Sequence, residues 1–493
     1  MLDKVDRNSL LATSFPMDNV FIGGRFQPAS SGKMLPVVDP STGKEIGSIA
    51  RGMKADVDAA VEAARRAFRG AWGKLSATER GRMLTKMSGI VLERADELAR
   101  LESQDVGKPL RQAKADALAL ARYLEYYGGA ADKLHSEIIP YEAGYTVLML
   151  REPLGVTGHI IPWNYPMQII GRSVAASLAA GNATVVKPAE EACLSALFVA
   201  EIAQQAGLPD GAFNVVPGLG EEAGAALSSH RGINHLSFTG SVSTGIFVQT
   251  AAAQNSVPVT LELGGKSPQV VFGDADLDAA LPFLVNAGIQ NAGQTCSASA
   301  RILVQRPIYD EVVSRMAQRY RGLKVGPSLE DFDVGPLVSQ RQREIVEGYL
   351  SPAVVGSLSF AAQSEIIGDA PKAGFYVKPT LIPDVPSDHR LFQEEIFGPV
   401  QTVTPFDTEE EAVALANGTD YGLVSGVWSR DGGIQLRMAR AIQAGQVFVN
   451  NYGAGGGVEL PFGGVKRSGH GREKGFEALY GFTAVKTVAI RHG

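Results

Sequence analysis

From Gly155 onward the chain alternates short β-branched runs with helical stretches, and this alternation limits its fold more than any other feature. The runs Val156 to Ile161, Ala183 to Lys187, Phe213 to Val216, His235 to Thr239 and Val259 to Glu262 are separated by helical patterns over 168–180, 194–206, 221–228 and 244–253. Strands joined by helices return to the same sheet through right-handed crossovers. The segment therefore predicts a parallel sheet covered by helices, the doubly wound arrangement that binds nucleotides. A second α/β series begins after Gly264, with strands at Pro268 to Phe272 and Ala300 to Gln305 and a helix at Ile308 to Tyr320, and continues to about Asn450. At 493 residues the chain is too long for one core, so two or more domains are expected.

The flanks read differently. Residues 1–50 are punctuated by Pro and Gly. A helix near Asp56 puts Val57, Val61, Ala64 and Phe68 on one face. A second opens at Ser76-Ala77-Thr78-Glu79, a capping-box pattern, and carries Met83, Met87, Ile90 and Leu98 inward. A third covers about 112–127. Tyr145 to Arg151 reads as a strand, and Ala484 to Ile490, with Val485, Thr487 and Ala489 alternating, reads as an edge strand that a second subunit could complete.

Charge and composition narrow the function. A net charge of −6 with no Lys/Arg-rich run argues against nucleic-acid and membrane-surface partners. No uncharged apolar stretch reaches the ~18 residues of a membrane span. Residues 1–15 carry scattered charges and no apolar core of a signal peptide. Two cysteines, Cys193 and Cys296, are too few for a disulfide framework, so a reducing, cytoplasmic setting is expected. Cys193, among Ala, Leu and Ser at a helix start, reads as core. No metal is expected.

Cys296 has a different context. It follows Gly293-Gln294-Thr295 and lies 34 residues after Glu262, which opens Glu262-Leu263-Gly264-Gly265-Lys266. A thiol and a carboxylate in such glycine-rich surroundings suit a nucleophile and a base acting on one substrate. Pro162-Trp163-Asn164-Tyr165-Pro166 ends a strand, where Asn164 either caps a helix or donates its amide to a developing oxyanion. Lys187-Pro188-Ala189-Glu190 stands at a strand's carboxyl end, where Lys187 could bond ribose hydroxyls and the Glu190 carboxylate would repel a 2′-phosphate; alone it could be a solvated charge pair. Phe238-Thr239-Gly240-Ser241 leads into a helix whose N-terminus favours a pyrophosphate. Gly218-Leu219-Gly220 with Gly224 reads as a turn. Glu394-Glu395-Ile396-Phe397-Gly398-Pro399 and the Gly-rich run from Leu460 to Glu473 complete the set; glycine-rich loops of that length are usually functional.

Seven such motifs in this order, over residues 162–473, resemble the NAD(P)-dependent aldehyde dehydrogenase superfamily. The resemblance implies an α/β chain with a Rossmann-like NAD-binding domain (1–135 and 153–261), a catalytic domain (262–450), oligomerisation strands (136–152 and 479–493) and an active-site loop (451–478) returning to the first domain. It implies NAD rather than NADP, an aldehyde substrate, and a homo-oligomer, dimer or tetramer. By position the nucleophile falls on Cys296, the oxyanion amide on Asn164, the base on Glu262 and a second carboxylate on Glu473. Cofactor contacts fall on Lys187, Glu190, Gly240, Ser241, Gly264, Glu395 and Phe397, and on the turn Ile161-Pro162-Trp163.

Substrate contacts are expected at Tyr165, Gln168 and Arg172, which share a helix face, and at Gly456, Glu459 and Phe462. Many relatives carry Trp-Lys where this chain has Arg172-Ser173. Arg172 could reach the surface, recognise an anionic substrate tail, or pair with Glu459. Small residues around Gly456 could widen the pocket for bulky or aromatic aldehydes, or simply loosen the backbone. Rival readings are a CoA-acylating semialdehyde dehydrogenase and a non-enzymatic binding protein of the same fold; Glu262, needed for thioester hydrolysis, speaks against the first.

Overall fold

The computed structural model describes residues 13–453 and 457–492. Its central sheet has eight strands, in the order Arg25–Pro28, Asn19–Ile22, Phe213–Val215, Ala183–Pro188, Val156–Ile161, His235–Thr239, Val259–Glu262 and Gly469–His470. The five between Phe213 and Glu262 run parallel, as the alternation predicts. They are buried along nearly their whole length, which explains why their sequences are continuously apolar or β-branched and not alternating. The chain builds outward from Val156–Ile161 on one side, then crosses back to lay His235–Thr239 on the other. That reversal opens a crevice at the carboxyl ends of these two strands, where doubly wound sheets take ligands.

The second sheet has seven strands: Ala362–Gln363, Thr380–Ile382, Val400–Phe406, Ser299–Gln305, Ser267–Val271, Val424–Trp428 and Gln446–Val449. All pairings are parallel except that of Ala362–Gln363. Each large sheet organises its own apolar core, one around Trp72, Leu197 and Val215, the other around Phe272, Leu303 and Trp428. A third, small antiparallel sheet joins Thr483–Arg491, Tyr145–Pro153 and Glu137–Ile139. Val485 and Ile490 on its edge strand are exposed. No helix among the described residues is long and apolar enough to cross a membrane.

The helices match their sequence signals with three differences. Ser76 and Glu79 form the reciprocal capping box, but that helix ends at Glu93, and Leu98 belongs to the next one, Ala95–Val106. The helix over 168–180 begins at Pro166 and contains a π-turn at Ile170–Val174. Its N-cap is Tyr165, so Asn164 does not cap it. Gly171 presses against the Tyr123 ring there, where a Cβ would lie 2.6 Å from a ring carbon. Residues Gly220–Gly224 likewise form a π-turn, not a plain turn, leading into Ala225–Ser228.

Asn182 ties several of these parts together. Its Oδ1 accepts from the Gly155 amide at 2.9 Å, and its Nδ2 donates to the carbonyls of Ser177 (3.1 Å) and Phe482 (2.9 Å). The Trp72 indole donates to its carbonyl. Replacing this fully buried side chain strands the Gly155 amide and the Phe482 carbonyl, while the Ser177 carbonyl keeps the backbone amide of residue 182. Asn182→Ala is expected to destabilise the fold by about 2–4 kcal/mol, read as a lower urea midpoint; an unchanged midpoint refutes the tie.

Candidate active site

A cavity of about 870 Å³ opens at the crevice between the first and second sheets. Ile161, Pro162 and Trp163, leaving one central strand, and Gly240 and Ser241, leaving the other, form its floor on the first-sheet side. Lys187 and Glu190 extend it past the end of the neighbouring strand and are bonded to each other, Nζ to Oε2, at 3.0 Å. Ser241 caps the twelve-residue helix Val242–Ala253, its Oγ accepting from the Thr244 amide. The second sheet contributes Glu395 and Phe397. The Phe397 ring meets Trp163 edge-to-face at 5.3 Å, and its backbone is left-handed at φ 53°. Such conformations persist where surrounding contacts over-determine them, most often at functional sites.

The glycine pair of Glu262-Leu263-Gly264-Gly265-Lys266 has a direct steric cause. A Cβ on Gly264 would lie 2.0 Å from Glu395 Oε2, and one on Gly265 would lie 2.2 Å from the Cys296 carbonyl oxygen. The segment thus passes between the Cys296 backbone and the Glu395 carboxylate, and the Gly265 amide donates to Glu395 Oε1 at 2.8 Å. Burial raises the Glu395 carboxyl to about 7, against the lowering effect of that amide.

Cys296 is half-buried in the same cavity, with Glu262 and Asn164. Desolvation pushes its thiol up to about 12, with the Arg172 charge acting the other way. Glu262 is only 2% exposed, and neither of its carboxylate oxygens has a hydrogen-bond partner among the described residues. Burial, reinforced by the like charge of Glu473, lifts it well above the usual carboxylate range. Asn164 Nδ2 donates to the Gln294 carbonyl at 3.0 Å. An amide nitrogen carries two protons, so one remains for an oxyanion beside Cys296.

Arg172 is the largest departure from expectation. It does not reach the surface and does not meet Glu459. It is buried, with Nε bonded to Glu473 Oε2 at 2.5 Å and its guanidinium 4.6 Å from the Phe462 ring centre. Ser237 donates to the other Glu473 oxygen at 2.8 Å. Glu473 therefore sits behind Arg172 and does not line the cavity. The Gly-rich loop closes over this pair through Phe462 and Glu473, whose backbones exchange two hydrogen bonds. Tyr165, Gln168, Arg172 and Phe462 line the cavity. Glu459 does not; it is exposed and paired with Arg122. Gly456 lies outside the described residues.

Three contributors carried no motif. Lys108 is buried against the Tyr165 ring and paired with Glu102 and Asp116, and Asp116 accepts from Gln168. Asp116 stands on the inward face of its helix between Ala113 and Leu120, and a charge on an apolar face is the signal that could have found it. Lys474, next to Glu473, is buried with φ 61°; burial, with Arg172 adding to it, lowers its ammonium to about 7. Cys193 is buried as expected, and its thiol is raised by desolvation.

The model of the aldehyde dehydrogenase family matches residues 26–488. Aldehyde dehydrogenase family 2 member C4 of Arabidopsis thaliana is 41% identical over 96% of this chain and 94% of its own length. Human retinal dehydrogenase 2 is 39% identical over 96% and 91%. A solved structure from Burkholderia cenocepacia, of a protein assigned as an aldehyde dehydrogenase, is 62% identical with a TM-score of 0.96 over 96% of this chain and all of that one. An NAD+ complex of aldehyde dehydrogenase from Bacillus cereus is 38% identical with a TM-score of 0.94, covering 97% of each chain. By its fold, its motifs and these likenesses, the chain belongs to the aldehyde dehydrogenase family.

Proposed function

We propose that this chain oxidises an aldehyde to the carboxylic acid with NAD, through a covalent adduct and then a thioester on Cys296. The observation that carries the reading is that Cys296, Glu262 and Asn164 line the same cavity as Lys187, Glu190 and Ser241. The donor set fits a dinucleotide. Lys187 and Glu190 stand where ribose hydroxyls bind, Ser241 and a helix N-terminus favour a pyrophosphate, and Glu395 and Phe397 flank the nucleophile. The Glu190 carboxylate supports NAD over NADP because it would repel a 2′-phosphate.

The Cys296 thiolate adds to the aldehyde carbon, forming a C–S bond and placing the oxygen's charge between the Asn164 amide and the Cys296 backbone N–H. Loss of one such donor costs about 10²–10³ in rate. When bound, a nicotinamide dinucleotide supplies the hydride acceptor that turns the adduct into a thioester. Glu262 then takes a proton from water, whose oxygen attacks the thioester carbon; the C–S bond breaks, releasing the acid and the thiolate. A CoA-acylating enzyme would leave Glu262 without a task.

The cavity near Cys296 is walled by Tyr165, Ile169, Tyr452 and Phe462, which favours a bulky or aromatic aldehyde. Human retinal dehydrogenase 2, named for a large apolar aldehyde, is a relative in keeping with this. A semialdehyde is the second reading. Arg172 supports it weakly, since Glu473 already neutralises that cation. A panel of benzaldehydes, short aliphatic aldehydes and semialdehydes decides; preference for acetaldehyde refutes the bulky-substrate reading.

Cys296→Ser is expected to abolish NADH formation while leaving NAD binding nearly unchanged; normal turnover refutes the nucleophile. Glu262→Gln should keep the first burst of NADH and slow the steady state by about 10²-fold; an unslowed steady state removes the base. Burial raises both the Cys296 thiol and the Glu262 carboxyl, so the deprotonated fraction of each, and with it the rate, should rise with pH from about 6 to 9. A flat or falling profile of NADH formation contradicts this. Arg172→Met leaves the Glu473 carboxylate buried and unpaired and should destabilise the fold by about 3–5 kcal/mol, with Glu473→Gln added on top restoring most of the loss. Urea midpoints of the two variants test this pairing.

A further inference from the structure

Two adjacent residues hold two adjacent residues just ahead of the nucleophile. Asn164 Nδ2 bonds the Gln294 carbonyl, and the Tyr165 hydroxyl lies 3.0 Å from Thr295 Oγ1. Thr295 Oγ1 also donates to the Gln290 carbonyl at 3.3 Å. A hydroxyl has one proton, so Thr295 is the acceptor toward Tyr165 and the tyrosine is the donor.

The gripped segment does not favour its own shape. Asn291, Ala292 and Gly293 have φ of 49°, 54° and 73°, three consecutive left-handed residues of which two carry a Cβ. Each such non-glycine residue costs about 1–2 kcal/mol. The turn is therefore held from outside. Gln112 Oε1 accepts from the Asn291 amide, Gln294 Oε1 accepts from the Val338 amide, and Asn291 Nδ2 reaches back to the Asn164 carbonyl. Tyr165 reaches the residue next to Cys296 itself.

Tyr165 is in turn held from beneath. The Lys108 ammonium lies 4.0 Å from its ring centre, buried with Glu102 and Asp116, and Gln168 on the same helix donates to Asp116. A desolvated ammonium over a tyrosine face contributes up to about 2 kcal/mol, enough to bias the ring to one position.

We infer that Tyr165 is a positioning residue for the nucleophile: its ring is fixed by Lys108, and its hydroxyl, bonded to Thr295, sets where the backbone places the Cys296 thiol and N–H relative to the Asn164 amide. Tyr165 lines the cavity, and its hydroxyl is engaged with Thr295 Oγ1. The inference rests on Cys296 being the nucleophile.

Tyr165→Phe keeps the ring and the cation beneath it and removes only the hydroxyl. The rate of the first NADH burst should fall about tenfold, the worth of one good hydrogen bond, with the aldehyde KM and NAD affinity changed less than about twofold. The rate of Cys296 alkylation by iodoacetamide in the cofactor-free protein should change in Tyr165→Phe and Thr295→Val alike. Thr295→Val should reproduce the loss, Thr295→Ser should retain activity, and the double variant should be no slower than either single one, since both remove the same bond. An unchanged burst, a change confined to KM, or additive losses in the double variant overturns the positioning role. Wild-type protein that stays active after stoichiometric alkylation of Cys296 overturns the nucleophile reading instead, so the two failures are distinct.

Discussion

The structure depends on one close approach of backbone. Glu262 ends the last parallel strand of the first sheet, and Ser267 begins an interior strand of the second. In the four residues between, Gly264 and Gly265 slip between the Cys296 carbonyl and the Glu395 carboxylate, with room for hydrogen but not for carbon. This seam sets the spacing of Glu262, Cys296 and Glu395 in a single step. A side chain at either position would have to displace the Glu395 carboxylate or the Cys296 backbone.

Around the seam the protein stores charge where water is scarce. Glu262, Glu473, Arg172 and Lys474 are all buried, and so are Glu102, Asp116 and Lys108. Isolated buried charges are expensive, and pairs with good geometry roughly break even. Most of these groups are paired, so they contribute placement more than stability. Glu262 is the exception, with both oxygens lacking a hydrogen bond among the described residues. A carboxylate left without donors is a stronger base, which suits the proton removal proposed for it.

Much of this was legible in the sequence because the signals are local. Continuous β-branched runs separated by helical periods specify parallel strands, and residues at the carboxyl ends of such strands must face the crevice, so Trp163, Lys187, Ser241 and Glu262 could be placed without coordinates. Side chains whose meaning depends on distant partners could not. Arg172 meets a carboxylate 301 positions away, and a π-turn between Ile170 and Val174 alters the face it shares with Tyr165 and Gln168. The Glu459 carboxylate, a plausible partner by sequence, is drawn outward by Arg122 on a helix that pattern alone does not align with it. Lys108 and Asp116 sit among apolar neighbours, where a sequence reading assumes solvent exposure or error.

The Gly-rich loop that carries Phe462 and Glu473 is pinned within its own length, Val465–Lys466 pairing with Tyr421–Gly422 and Gly469–His470 with Leu261 and Glu262, and beyond it Asn182 binds the Phe482 carbonyl. The next residue starts the exposed edge strand Thr483–Arg491. Glu473 lies ten positions before that strand, with only the short helix Glu477–Gly481 between them. One brief stretch of chain therefore joins the exposed outer sheet to the buried Arg172–Glu473 pair behind the cavity.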